Sequence, residues 1–207
     1  MPNANYTAIL LIMDVSGSMS QDVMYNGQQA EVYEVMQDVI HLMLEQQARK
    51  LAGYLTVDVG HFDTRANMLV EDGDPLLTDI GLYAGGGTQI YDTSAQLLAQ
   101  FENRLKSLPE NEQPGHVVVI IMSDGDSSPA QGDGVYVKQT ISRLTGEGWD
   151  FAFLAASQYG VEGSRKGLGI SADHSIKCDN SQAGIEDAAD KLGSFVSVAR
   201  GGGNAAF

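Results

Sequence analysis

The chain has 207 residues, an apolar share of 43% and a formal net charge of −15. Its length suits one domain with a full core, and no segment approaches the roughly 18 consecutive apolar residues that a membrane span needs. A charge this negative argues against a nucleic-acid backbone or an anionic membrane as partner, since both repel it.

The opening residues Met1-Pro2-Asn3-Ala4-Asn5 lack the basic start and apolar run of a secretory signal. The single Cys178 cannot close a disulfide within the chain, so a reducing, cytoplasmic setting is expected.

In chain order, Ala8-Ile9-Leu10-Leu11-Ile12-Met13 is an apolar run that ends at Asp14. Runs of this length without alternation suit strands buried on both faces, as in a parallel sheet covered by helices. Val32, Val35, Met36, Val39, Ile40 and Met43 then recur at three- and four-residue spacing and predict a helix with one apolar stripe. Leu55, Val57 and Val59 alternate with Thr56 and Asp58, which predicts a strand with one wetter face. Asn67-Met68-Leu69-Val70 reads as a short edge strand that follows it.

Leu97, Leu98, Phe101, Leu105 and Leu108 form a second helical stripe, closed by Pro109. Val117-Val118-Val119-Ile120-Ile121-Met122 and Phe151-Ala152-Phe153-Leu154-Ala155-Ala156 repeat the buried-strand pattern. Between them Val137, Ile141 and Leu144 mark a third helix, with Gly146 as its expected C-cap. Ile185, Ala188, Ala189, Leu192, Phe195 and Val196 mark the last helix. Strands alternating with helices indicate a three-layer α/β/α fold on a mostly parallel sheet. One domain over residues 1–200 is expected, with a flexible tail over 201–207, where Gly201-Gly202-Gly203-Asn204 begins it.

Chemistry concentrates just after the buried strands, at the carboxyl edge where open α/β sheets place ligands. Asp14-Val15-Ser16-Gly17-Ser18 offers one carboxylate and two hydroxyls at alternate positions. Ser123-Asp124-Gly125-Asp126 follows the later strand in the same way, and Gly85-Gly86-Gly87-Thr88 ends in a hydroxyl expected at a helix N-cap. Oxygen-only ligands select a hard cation, Mg²⁺ first, with Mn²⁺ and Ca²⁺ as alternatives.

Together, Asp14, Ser16 and Ser18 in an Asp-x-Ser-x-Ser turn, Thr88 after a glycine-rich loop, and Asp124 in an Asp-Gly pair resemble the metal-ion-dependent adhesion site of von Willebrand factor A domains. All five positions match, and the layout resembles that family from about Ala8 to Ala199. The resemblance implies a Rossmann-like sheet with one antiparallel edge strand. It implies direct ligation by Ser16, Ser18 and either Thr88 or an aspartate, with the other side chains acting through water. It also implies that Thr88 and Asp124 exchange as direct ligand between open and closed states. Gly148-Trp149-Asp150-Phe151-Ala152-Phe153-Leu154 and Gly167-Leu168-Gly169-Ile170 are similar to short single-domain members from bacteria and phages, including those of tellurium-resistance and stress gene clusters.

Other polar residues have simpler readings. His41, His61, His116 and His174 show no metal-ligand spacing, and Asp72-Gly73-Asp74-Pro75 is a turn without an EF-hand loop. Asp92 falls in a first helical turn, where the helix dipole favours a carboxylate; Asp126 reads equally as site rim or turn. An expected protein partner completes the cation's coordination with a Glu or Asp carboxylate, against rim loops Met19–Asn26, Gly85–Ile90 and Asp126–Gly134. One alternative is a structural subunit of a phage particle or cytoplasmic assembly, with the metal stapling loops. The other is a Mg²⁺-dependent phosphotransferase, but the acid–base aspartate such enzymes place two residues after the nucleophile is here Ser16. No Gly-x-Ser-x-Gly elbow, P-loop or dinucleotide fingerprint occurs, so catalysis is not expected.

Overall fold

The computed structural model describes residues 1–207 apart from 51, 79, 81–83, 125–133, 156–160 and 180. The strands are β1 (Asn3–Asp14), β2 (Asp22–Tyr25), β3 (Gln28–Glu31), β4 (Tyr54–Phe62), β5 (Ala66–Gly73), β6 (Pro114–Ser123), β7 (Trp149–Ala155) and β8 (Ser175–Lys177). The helices are α1 (Val32–Lys50), α2 (Ile90–Ser107), α3 (Val135–Gly146), α4 (Val161–Leu168) and α5 (Gln182–Arg200). Six strands form one sheet in the order β5-β4-β1-β6-β7-β8, while β2 and β3 form a separate hairpin. Within the sheet β4 and β5 pair antiparallel, and every other neighbouring pair is parallel. This is the expected Rossmann-like α/β/α arrangement with an antiparallel edge strand.

The continuous apolar runs feed two cores at once, because successive strand side chains point to opposite faces. From β1, Ile9, Leu11 and Met13 enter the core under α1 and α5, whereas Ala8, Leu10 and Ile12 enter the core under α2 and α3. From β6, Val118, Ile120 and Met122 go one way and Val117, Val119 and Ile121 the other. The predicted helical stripes are buried in the same cores, Val35, Met36, Val39 and Ile40 from α1 among them. Among the described residues no helix is long and apolar enough to cross a membrane.

Chain order around β1 positions the site. After β1 the chain moves to one side to make β4 and β5, then crosses over to make β6, β7 and β8 on the other. The carboxyl end of β1 is therefore the point where the sheet's winding reverses, the place where open α/β sheets bind ligands.

Several local expectations change. Thr56 and Asp58 do not make a wet face, since both are essentially buried. Tyr6 covers Thr56 with a hydroxyl contact of 2.9 Å, and Arg104 of α2 reaches down to Asp58. The helix α2 begins at Ile90 with Gln89 in the capping position, so Thr88 lies one residue outside the expected N-cap. In α3, Gly146 is the last helical residue and Glu147 the cap, while Gly148 takes the left-handed conformation (φ 93°). Ala156, which closes the third predicted strand, lies outside the described residues.

Three elements were not anticipated: the β2–β3 hairpin, α4 and β8. The hairpin turns at Asn26 (φ 51°) and Gly27 (φ 77°), the pair that favours a two-residue turn with both φ angles positive. The terminal segment 201–207, read as a flexible tail, makes contacts: Ala205 is buried, the Phe207 N–H donates to Asp173 O at 2.8 Å, and its ring lies 5.0 Å from that of Phe195.

Candidate metal centre

Asp14 ends β1, and its carboxylate is fully buried. The Ser16 N–H donates to Asp14 Oδ1 at 2.8 Å, and the Ser123 hydroxyl donates to Oδ2 at 2.6 Å. Burial pushes the Asp14 carboxyl up to about 6; the hydrogen bonds from Ser123 and Ser16 oppose the rise, and the charge of Asp124 adds to it. Asp14 is thus held in place by donors while its negative charge is disfavoured. A cation beside it reverses that disfavour.

Past Asp14 the chain tightens into a 3-10 turn over Gly17–Ser20 with Ser16 in extended conformation at its start. This brings Ser16 Oγ and Ser18 Oγ to 3.1 Å from each other. Two neighbouring ligands of an octahedral Mg²⁺, each about 2.1 Å from the metal, stand about 3.0 Å apart. The hydroxyl pair, which shares a hydrogen bond, stands at a spacing that a small hard cation would also accept.

The Thr88 loop is bound to this turn through the backbone. Gly17 N–H donates to Gly86 O at 2.9 Å, and Gly85 N–H donates to Val15 O at 2.7 Å. Thr88 itself is largely buried, at 9% exposure, as is Asp124 at 8% where it follows β6. The structure thus links Asp14 to Ser16 and Ser16 to Ser18, sets Asp124 close enough to act on Asp14 electrostatically, and ties the loop of Thr88 against them. Gly125 and Asp126, with most of the Asp126–Gly134 rim, lie outside the described residues.

Two contributors were missed by the sequence reading. Ser123 holds Asp14, and its signal was its place at the end of a buried strand beside Asp124. Asp63, directly after β4, supports the glycine loop: its carbonyl accepts from Gln89 N–H at 2.9 Å. Its carboxylate leaves no room for a side chain at Gly86, where a Cβ would stand 2.9 Å from Oδ2. An acidic residue after a buried strand, as at Asp14, was the signal available for Asp63.

Among the described residues no three His, Cys, Asp or Glu side chains converge as metal ligands. Hydroxyls backed by two carboxylates make a donor set that would fit a hard ion rather than a thiolate- or imidazole-bound one.

No protein-family model matches the sequence, and no curated protein does. Solved structures do match. Proximal thread matrix protein 1 from the mussel byssus superposes with a TM-score of 0.62 at 16% identity, over 94% of this chain and 46% of that one. The PilB minor pilin from Streptococcus sanguinis gives a TM-score of 0.61 at 13% identity, over 94% of this chain and 61% of that one. An aerotolerance-related membrane protein from Bacteroides fragilis gives 0.52 at 14% identity, over 89% and 97% respectively. The chain thus spans about half the length of the mussel protein. A further structure of that mussel protein has zinc in its MIDAS motif. Identities this low carry the fold alone, and that fold is von Willebrand factor A–like.

Proposed function

We propose that this chain is a metal-dependent protein-interaction module. In this reading Ser16, Ser18 and Thr88 offer hydroxyls to one divalent cation, Mg²⁺ first, with Asp14 and Asp124 close behind them. When bound, the cation would supply Lewis acidity, and a Glu or Asp carboxylate of the partner would complete its coordination. The observation that carries the reading is the Ser16–Ser18 hydroxyl pair, 3.1 Å apart beside a buried aspartate at the sheet's switch point. Zinc in the MIDAS motif of the mussel protein, which shares the fold, supports a divalent cation in this position.

The donor chemistry favours binding over catalysis. Neutral hydroxyls leave the cation electrophilic, yet the residue two places after Asp14 is Ser16, which is no general acid or base at neutral pH. The cytoplasmic setting belongs to the same proposal and is supported by the single cysteine, which is buried.

Calorimetric titration with Mg²⁺, Mn²⁺, Ca²⁺ and Zn²⁺ tests the first half. One bound cation per chain is expected, lost in Asp14→Ala and Ser16→Ala. Capture of partners from lysate of the source cells, with Mg²⁺ and with EDTA, tests the second half. Capture is expected to need metal and one acidic residue on the captured protein; equal capture in EDTA would remove the metal from recognition.

A further inference from the structure

A groove of about 410 Å³ lies on the flank of the molecule, between α1, the Asp74–Thr78 turn after β5 and the start of α5. One ridge of α1 forms its floor, because Asp38, His41, Leu42 and Glu45 recur at helical spacing and all line it. Pro75 and Leu76 form the facing wall. Leu76 is 55% exposed and its neighbour Leu77 82%, an apolar pair left open to solvent. Tyr25 closes one end, its hydroxyl donating to Gln182 Oε1 at 3.1 Å.

The charged side chains that line the groove among the described residues are acidic, with His41 between them. Asp38 and Glu45 line it, and among the described residues no lysine or arginine does. Asp74 begins the facing turn, where it accepts from Leu76 N–H at 2.8 Å, and the charges of both Asp38 and Glu186 act on Tyr25. Arg49 pairs with Glu45 from the next turn of α1 and stays largely exposed. Such a groove complements a side chain with an aliphatic stem and a cationic head. The stem lies along Leu42, Pro75 and Leu76, while the head meets the carboxylates and the electron-rich face of Tyr25.

We propose that the α1 groove docks a basic, aliphatic segment of a partner protein through an Arg or Lys inserted between Asp38, Glu45 and Tyr25. This contact is independent of any cation at Asp14.

The test uses a fluorescein-labelled peptide of alternating Arg and Leu, with a Glu–Leu version as control, titrated by anisotropy in EDTA. EDTA silences the metal centre, so failure here leaves the metal reading untouched. The Arg–Leu peptide is expected to bind and the Glu–Leu peptide not. Asp38→Asn with Glu45→Gln is expected to weaken binding about tenfold at low salt, and Leu76→Ser to weaken it as well. Thermal melts of these variants are expected to match the wild type, which separates lost docking from lost fold. Glu110→Gln with Glu112→Gln removes two distant carboxylates and is expected to leave binding unchanged. Equal loss in that control would reduce the effect to the chain's overall charge and overturn the proposal. So would equal binding of the Glu–Leu peptide, no effect of the Asp38 and Glu45 changes, or a dimer in sedimentation that the peptide cannot disperse.

Discussion

Asp14 is held by two hydrogen bonds and opposed by its own burial. With its carboxyl raised to about 6 from a usual 3.8, the folded chain retains a proton that the unfolded chain has released. Between those values stability falls as pH rises, and above about 6 the loss is complete. The shift corresponds to about 3 kcal/mol as an upper guide. In EDTA, urea melts at intervals from pH 4 to 7 are expected to show wild type losing stability relative to Asp14→Asn across this window. Parallel curves would mean that Asp14 ionises freely in the folded chain. Cation binding needs the ionised form, so Mg²⁺ affinity is expected to fall about tenfold per pH unit below 6, as one proton competes. Gly86 is the other sensitive residue, at φ 87° against Asp63. Gly86→Ala is expected to cost about 1–2 kcal/mol in thermal melts and to weaken calorimetric Mg²⁺ binding, because the loop of Thr88 must shift. At this scale the placing of Asp14 at the end of β1 and of Asp124 just after β6 was legible, because each follows a long apolar run. The role of Ser123 was not: its place at the end of an apolar run marks it as near the site, but its bond to Asp14 crosses from one strand to the next.

Among the elements, α2 is fastened to β4 by a contact that no local pattern reveals. Asp58 is wholly buried and Arg104 nearly so, at 16% side-chain exposure. Burial pushes the Asp58 carboxyl up to about 6 although Arg104 lowers it. Removing the cation alone strands a buried carboxylate, so Arg104→Leu is expected to cost about 3–5 kcal/mol in urea melts near pH 8. Asp58→Leu combined with Arg104→Leu is expected to recover most of that loss; no recovery would mean that the pair's packing, not its charge, holds α2. The alternation in β4 misled for this reason. Thr56 and Asp58 are shut off from water, and the residue that pairs with Asp58 arrives from far along the chain. The long apolar runs were legible because each side chain meets one of two cores whatever its direction. Three-residue β8 and the polar helix α4 offer no such period, and the hairpin at Asn26-Gly27 carried its signal in a dipeptide within an otherwise polar stretch.

Over the whole molecule the sheet's winding does what no single segment can. It sets the ends of β1, β4 and β6 side by side, so that residues distant in sequence converge on Asp14. Convergence has an electrostatic consequence in a chain of net charge −15. Asp14 and Asp124 repel, which adds a little to the burial that raises the Asp14 carboxyl. A cation that binds the folded centre and not the unfolded chain stabilises the fold by linkage, by about 2.7 kcal/mol at one hundred times its dissociation constant. For a domain of this size that amounts to a rise of roughly 5–11 °C in Tm. Thermal melts in EDTA and in millimolar Mg²⁺, Mn²⁺ or Ca²⁺ are expected to show this rise in wild type and to lose it in Asp14→Ala and Ser16→Ala. Thr88→Ala is expected to retain part of it, since Asp124 remains at the centre. A monovalent salt matched for ionic strength distinguishes site binding from general screening of the acidic surface, which every variant shares. If Na⁺ at equal ionic strength reproduced the whole rise, or if Ser16→Ala kept it, the convergence of these strand ends would serve packing alone.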